Sequence, residues 1–151
     1  MAGDKARRVF YCPYCNEKLS FLDGSMIKMD GELGAETFSV RTQFFFPAAL
    51  GQYGAIIAGN VQVKEGAKVE LFCPAPRCAA NFTAAYNHEL AEIRMLDQSK
   101  REYVVVFHKT YGRRATFLVD RSASKLVDSF GEHADSYVET FERPLNFFGA
   151  V

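Results

Sequence analysis

The sequence predicts a mainly β protein: a small antiparallel sheet built out from a cysteine-bound metal clip, with at most one or two short helices near the C-terminus. Three observations lead there. Short runs rich in β-branched and aromatic residues recur along the chain between turn residues, whereas helical periodicity is scarce. Four cysteines fall in two close pairs, Cys12/Cys15 and Cys73/Cys78, with 57 residues between the pairs. The length of 151 residues suits one domain, which at this size buries roughly two thirds of its unfolded surface.

Taken in order, the expected strands cover residues 26–29, 37–45, 60–63, 68–72, 90–97, 102–108 and 114–120. Asp30-Gly31, Gly59-Asn60, Glu65-Gly66, Gln98-Ser99-Lys100 and Tyr111-Gly112 mark the turns between them. Residues 102–108 and 114–120 read as a hairpin in which Gly112 supplies a permissive backbone. The only helical candidates are residues 123–130 or 133–141, and neither is strongly periodic. No internal repeat or low-complexity linker is visible. Residues 1–151 therefore read as a single domain. Knuckles at 10–17 and 72–79 close a long β-rich insert, and 80–151 supply a sheet extension and tail.

The cysteine pairs carry most of the functional information. No signal-peptide apolar stretch follows the charged start, Met-Ala-Gly-Asp-Lys-Ala-Arg-Arg, so a cytoplasmic location is expected. In a reducing compartment four paired thiolates suit a closed, structural Zn2+ site, one ion per chain, better than a disulfide framework. In Cys12-Pro13-Tyr14-Cys15-Asn16, Pro13 fixes φ within the turn, and Asn16 stands where a left-handed backbone is wanted. The second pair, Cys73-Pro74-Ala75-Pro76-Arg77-Cys78, has a four-residue spacer, which widens the loop. A redox dithiol is the competing reading of Cys-x-x-Cys alone, but it requires a helix after the pair, and residues 17–30 do not promise one. His88, His108 and His133 are left out of the ligand set, because four thiolates fill a tetrahedron.

These motifs carry a resemblance. Cys-Pro-Tyr-Cys-Asn-Glu-Lys-Leu, a long insert, and then Gly-Ala-Lys-Val-Glu-Leu-Phe-Cys-Pro resemble the uncharacterised split zinc-ribbon proteins of bacteria. The likeness runs on through Phe107-His108-Lys109-Thr110-Tyr111-Gly112 and Phe130-Gly131-Glu132-His133. It implies a split zinc ribbon extended into a small antiparallel sheet. Asn16, where such knuckles often have glycine, and the longer second spacer depart from the pattern.

Enzyme signatures are absent. There is no nucleophile elbow, metalloprotease helix, P-loop or dinucleotide turn, and residues 51–54 are too short for a phosphate cradle. Catalytic zinc also keeps an open position, which four thiolates do not leave. No catalytic residue is therefore assigned, although a place as a small subunit of a larger enzyme stays open. No apolar run reaches the ~20 residues of a bilayer span, because Pro47, Gly51, Gln52 and Gly54 interrupt the longest.

Eighteen basic residues balance eighteen acidic ones, but the balance is uneven along the chain. Residues 100–125 carry +5 and residues 126–151 carry −4, so compensation between the two is one expectation. The other is a nucleic-acid site on the hairpin, using Lys109, Arg113 and Arg114. Apolar runs give the third clue. Phe44, Phe45 and Phe46 are consecutive, so at least one must point away from the local core, and Leu145, Phe147 and Phe148 make the C-terminal segment apolar. Both runs are candidate docking surfaces. The expected function is that of a non-catalytic structural-zinc protein, an accessory subunit or adaptor that binds another protein or a second copy, with nucleic-acid binding as the alternative.

Overall fold

The computed structural model describes residues 8–34, 39–59, 63–64 and 66–137. Two antiparallel sheets pack face to face over a shared apolar core. The first contains β2 (Ser20–Phe21), β3 (Met26–Gly34), β4 (Ser39–Pro47), β5 (Ile56–Ile57) and β6 (Val69–Phe72). The second contains β1 (Val9–Tyr11), β7 (Thr83–Ala84), β8 (Asn87–Leu96), β9 (Glu102–His108), β10 (Thr116–Asp120) and β11 (Lys125–Phe130). In the first sheet β2 and β6 share one edge of β3, with β4 and β5 following on the other side. In the second, β1 and β7 share one edge of β8, followed by β9, β10 and β11. No helix among the described residues is long and apolar enough to cross a membrane.

The backbone repeats itself. Cys12 N–H bonds the Glu17 carbonyl at 2.9 Å, Leu19 N–H bonds Phe10 at 2.8 Å, and Lys28 N–H bonds Leu19 at 2.8 Å. The same ladder recurs as Cys73 to Ala80 at 2.9 Å, Phe82 to Leu71 at 2.8 Å and Glu92 to Phe82 at 2.8 Å. Each half thus runs strand, knuckle, short strand and long hairpin, and the halves exchange their first strands: β1 pairs with β8 and β6 with β3. The repeat is invisible in the residues because only Cys-Pro and the second cysteine recur. Phe10 and Leu19 of one half correspond to Leu71 and Phe82 of the other, so size is conserved in sum but not in place. All four are buried.

Several expectations are corrected. Asp30-Gly31 is no turn but lies inside β3, paired with β4 and β6 at once. The reason is packing: a Cβ on Gly31 would sit 2.3 Å from the Phe44 ring, so glycine marks a close approach there. Residues 125–130 form β11, a strand and not a helix, because pairing with β10 decides the backbone. The one helical turn among the described residues is the 3-10 helix Ala134–Tyr137, inside the second helical candidate. Residues 138–141 of that candidate lie outside the described residues, as do residues 60–62 of an expected strand. The expected hairpin of 102–108 with 114–120 is present, its second strand starting two residues later at Thr116, with Phe107 opposite Thr116 and Gly112 at φ 90°.

Candidate metal centre

Both crossovers between the sheets are knuckles. The chain passes from β1 through Cys12 and Cys15 to β2, and from β6 through Cys73 and Cys78 to β7. Each knuckle turns by the same device. Asn16 and Ala79, the residues that follow the second cysteine of each pair, have left-handed backbones with φ 64° and 49°. Asn16 N–H bonds the Cys12 carbonyl at 3.0 Å, and Ala79 N–H bonds Ala75 at 3.0 Å, so the wider spacer is closed within itself.

The four sulfurs converge within 4.8 Å of one another. Across the knuckles Cys12 Sγ lies 3.8 Å from Cys78 Sγ, and Cys15 Sγ lies 3.6 Å from Cys73 Sγ. Those pairings are equivalent under the backbone repeat. Disulfide sulfurs would be about 2.05 Å apart, so the thiols are free. Sulfurs at the corners of a tetrahedron with metal–sulfur bonds of about 2.3 Å are about 3.8 Å apart. The cluster therefore has the dimensions to hold a metal ion on four thiolates.

Backbone amides complete the surroundings. Tyr14 N–H points at Cys12 Sγ at 3.4 Å, and the amides of Ala75 and Ala80 serve Cys73 and Cys78 in the same way. Burial pushes the Cys12 and Cys73 thiols up, whereas the Ala80 amide holds Cys78 below the usual thiol range. A cation would reverse the first effect by favouring the thiolate. Arg94 ties the first knuckle to the second sheet. Its guanidinium bonds Asn16 Oδ1, pairs with Glu102 at 2.8 Å and lies 5.7 Å from the Tyr11 ring centre. Sequence reading missed Arg94 and Ala79, and nothing local to either residue announces its role.

The other candidates scatter. Phe44 is 1% exposed and belongs to the core, and Phe46 packs across to Phe107 with ring centres 6.0 Å apart, so neither is a free docking residue. Phe45 is the one of the three that faces outward, 5.3 Å from the Phe21 ring. Leu145, Phe147 and Phe148 lie outside the described residues. Lys109 is ion-paired with Glu70 at 2.6 Å and its side chain is only 9% exposed, whereas Arg113 and Arg114 are exposed. The basic segment finds acids within the sheets: Arg101 pairs with Asp120 and Arg121 with Glu102. His108 is buried, which lowers its pKa. Its Nε2 lies 2.8 Å from the Tyr137 hydroxyl, and its Nδ1 accepts Thr110 N–H at 3.0 Å. Tyr137 in turn donates to Glu89 at 2.7 Å, an arrangement that pins the 3-10 helix to β8 and β9.

Comparison of the chain with protein-family models, curated proteins and solved structures finds no match.

Proposed function

We propose that Cys12, Cys15, Cys73 and Cys78 hold one structural zinc ion, and that the protein is a non-catalytic accessory subunit or adaptor of the cytoplasm. The single observation behind the reading is the four-sulfur cluster spanning both crossovers. A complete thiolate set leaves no coordination position for water or substrate, so the ion's work is to join the sheets. The paired knuckles are also what a split zinc ribbon requires.

The adaptor part draws support from the outer face of the first sheet. Register places Phe21 beside Met26, Lys28 beside Phe45, and Phe45 beside Ile56, all on the face opposite the core. Ile56 and Leu22 are each 61% exposed, and Phe21 is 40% exposed. An apolar patch rimmed by charge is the usual mark of a protein-binding surface. Phosphate binding by the hairpin has weaker support, because Glu70 already neutralises Lys109.

Purification at low salt, with mass spectrometry of what co-elutes, tests the role. A stoichiometric protein partner, or a second copy, that is lost in Phe45→Ser while melting stays unchanged supports it. A chain that elutes alone, or whose association ignores Phe45, contradicts it.

A further inference from the structure

Between the sheets, at a place that shares no residue with the cysteine cluster, lies a cavity of about 220 Å3. Ile27, Met29 and Phe44 from the first sheet and Ile93 and Val105 from the second form its closed floor, and its open apolar surface is that of Phe46, Leu50, Ala55, Phe107 and Tyr111. No buried side-chain nitrogen or oxygen among the described residues lacks a hydrogen-bond partner. A ligand that needs polar contacts at depth, such as a nucleobase, would find none waiting there.

Polarity is gathered at the mouth, on loops 48–55 and 109–115 and the start of β10. Tyr53 and Thr116 satisfy one another through hydroxyls 3.0 Å apart, and Tyr53 also donates to the Phe130 carbonyl at 3.2 Å. Lys109 is held by Glu70. Arg113 and Arg114 have no ion pair among the described residues, and the Arg114 guanidinium lies 5.9 Å from the centre of the Tyr53 ring. A polar vestibule continues outward, lined by Arg113, Arg114, Glu132 and His133, with His133 Nδ1 already accepting Arg114 N–H at 2.9 Å. Two cations against one carboxylate make it net positive.

We infer that this cavity binds a small amphiphilic carboxylate, its apolar chain between the sheets and its head at Arg113 and Arg114. Size limits the chain. About 220 Å3 of water-accessible space suits a medium-length acid better than a long-chain lipid. Charge complementarity selects the anion: the uncharged alcohol of equal length gains the same burial but leaves the arginines unmatched.

Titration calorimetry of the metal-loaded protein with octanoate and with 1-octanol tests this, read alongside chemical-shift mapping of the wild type. Octanoate is expected to saturate at one per chain below millimolar concentration, at least about tenfold more tightly than octanol. The Arg113→Ala/Arg114→Ala variant should lower octanoate to the level of octanol, and Ala55→Phe, which narrows the cavity, should weaken both ligands. Shifts in the wild type should centre on Val105 and Phe107 whether or not Ala55→Phe folds. Absence of saturation, equal binding of acid and alcohol, undiminished binding without the arginines, or shifts centred elsewhere would each overturn the assignment.

Discussion

Ala79 adopts a left-handed φ of 49° in the second knuckle, a conformation that costs an alanine because of its Cβ and that its side chain has no hydrogen bond to offset. Its counterpart Asn16 adopts φ 64° but hydrogen-bonds Arg94 from the same position. Ala79→Gly should therefore raise stability by about 0.5–1 kcal/mol, the relief of strain less the extra freedom glycine has when unfolded. A urea midpoint at or below that of the parent would contradict this. A second residue-scale effect concerns acid. Arg101, hydrogen-bonded to Asp120, holds that carboxyl down to about 2 from its ordinary 3.8. A depressed carboxyl contributes stability above its unfolded pKa and loses it as pH falls through the folded one. The margin by which the parent exceeds Asp120→Asn should thus be full above about pH 4 and shrink toward pH 2, as thermal melts of the two proteins would show. A margin constant across that window would refute it.

At the scale of elements, β3 is organised around a missing side chain. Phe44 lays its ring over Gly31, in the middle of a strand paired on both edges. Gly31→Ala should push that ring out of place and cost about 1–3 kcal/mol, the usual penalty for overpacking. Calorimetric melting within error of the parent would show that Phe44 has room to move. The same position explains why Asp30-Gly31 misleads as a turn signal, since glycine is chosen there for space and its backbone is extended. Legibility follows the range of the forces involved. β9 has the limits expected from the residues, 102–108, because a β-branched and aromatic run and a glycine turn are local signals. The two-residue strands β2, β5 and β7 and the three-residue β1 have no pattern of their own and exist through pairing with long neighbours. β11 is a mostly exposed edge strand with no periodicity to distinguish it from a helix. The cysteines were legible as one set because metal-ligand spacing is written in the sequence. That their knuckles are both sheet crossovers was not, because it depends on which strands pair.

For the whole molecule, the exchange of first strands decides what a metal held by the four cysteines would do. Each knuckle links the two sheets, so one ion bound by both would fix their relative placement at one edge while the apolar core holds the rest. Binding by four thiolates is worth on the order of 10 kcal/mol in small metallo-domains, comparable with the whole stability of a domain. Loss of the ion should consequently be felt by β1, β2, β6 and β7 together. Hydrogen exchange after chelation should rise in all four crossover strands, and a rise confined to one knuckle would argue against a shared clip. The most direct measurement is the zinc content of parent and Cys73→Ser, taken together with their melting. One zinc per chain in the parent, and a Cys73→Ser protein without stoichiometric zinc that melts well below it, are required if four thiolates form the clip. Full zinc and normal melting in Cys73→Ser would contradict it.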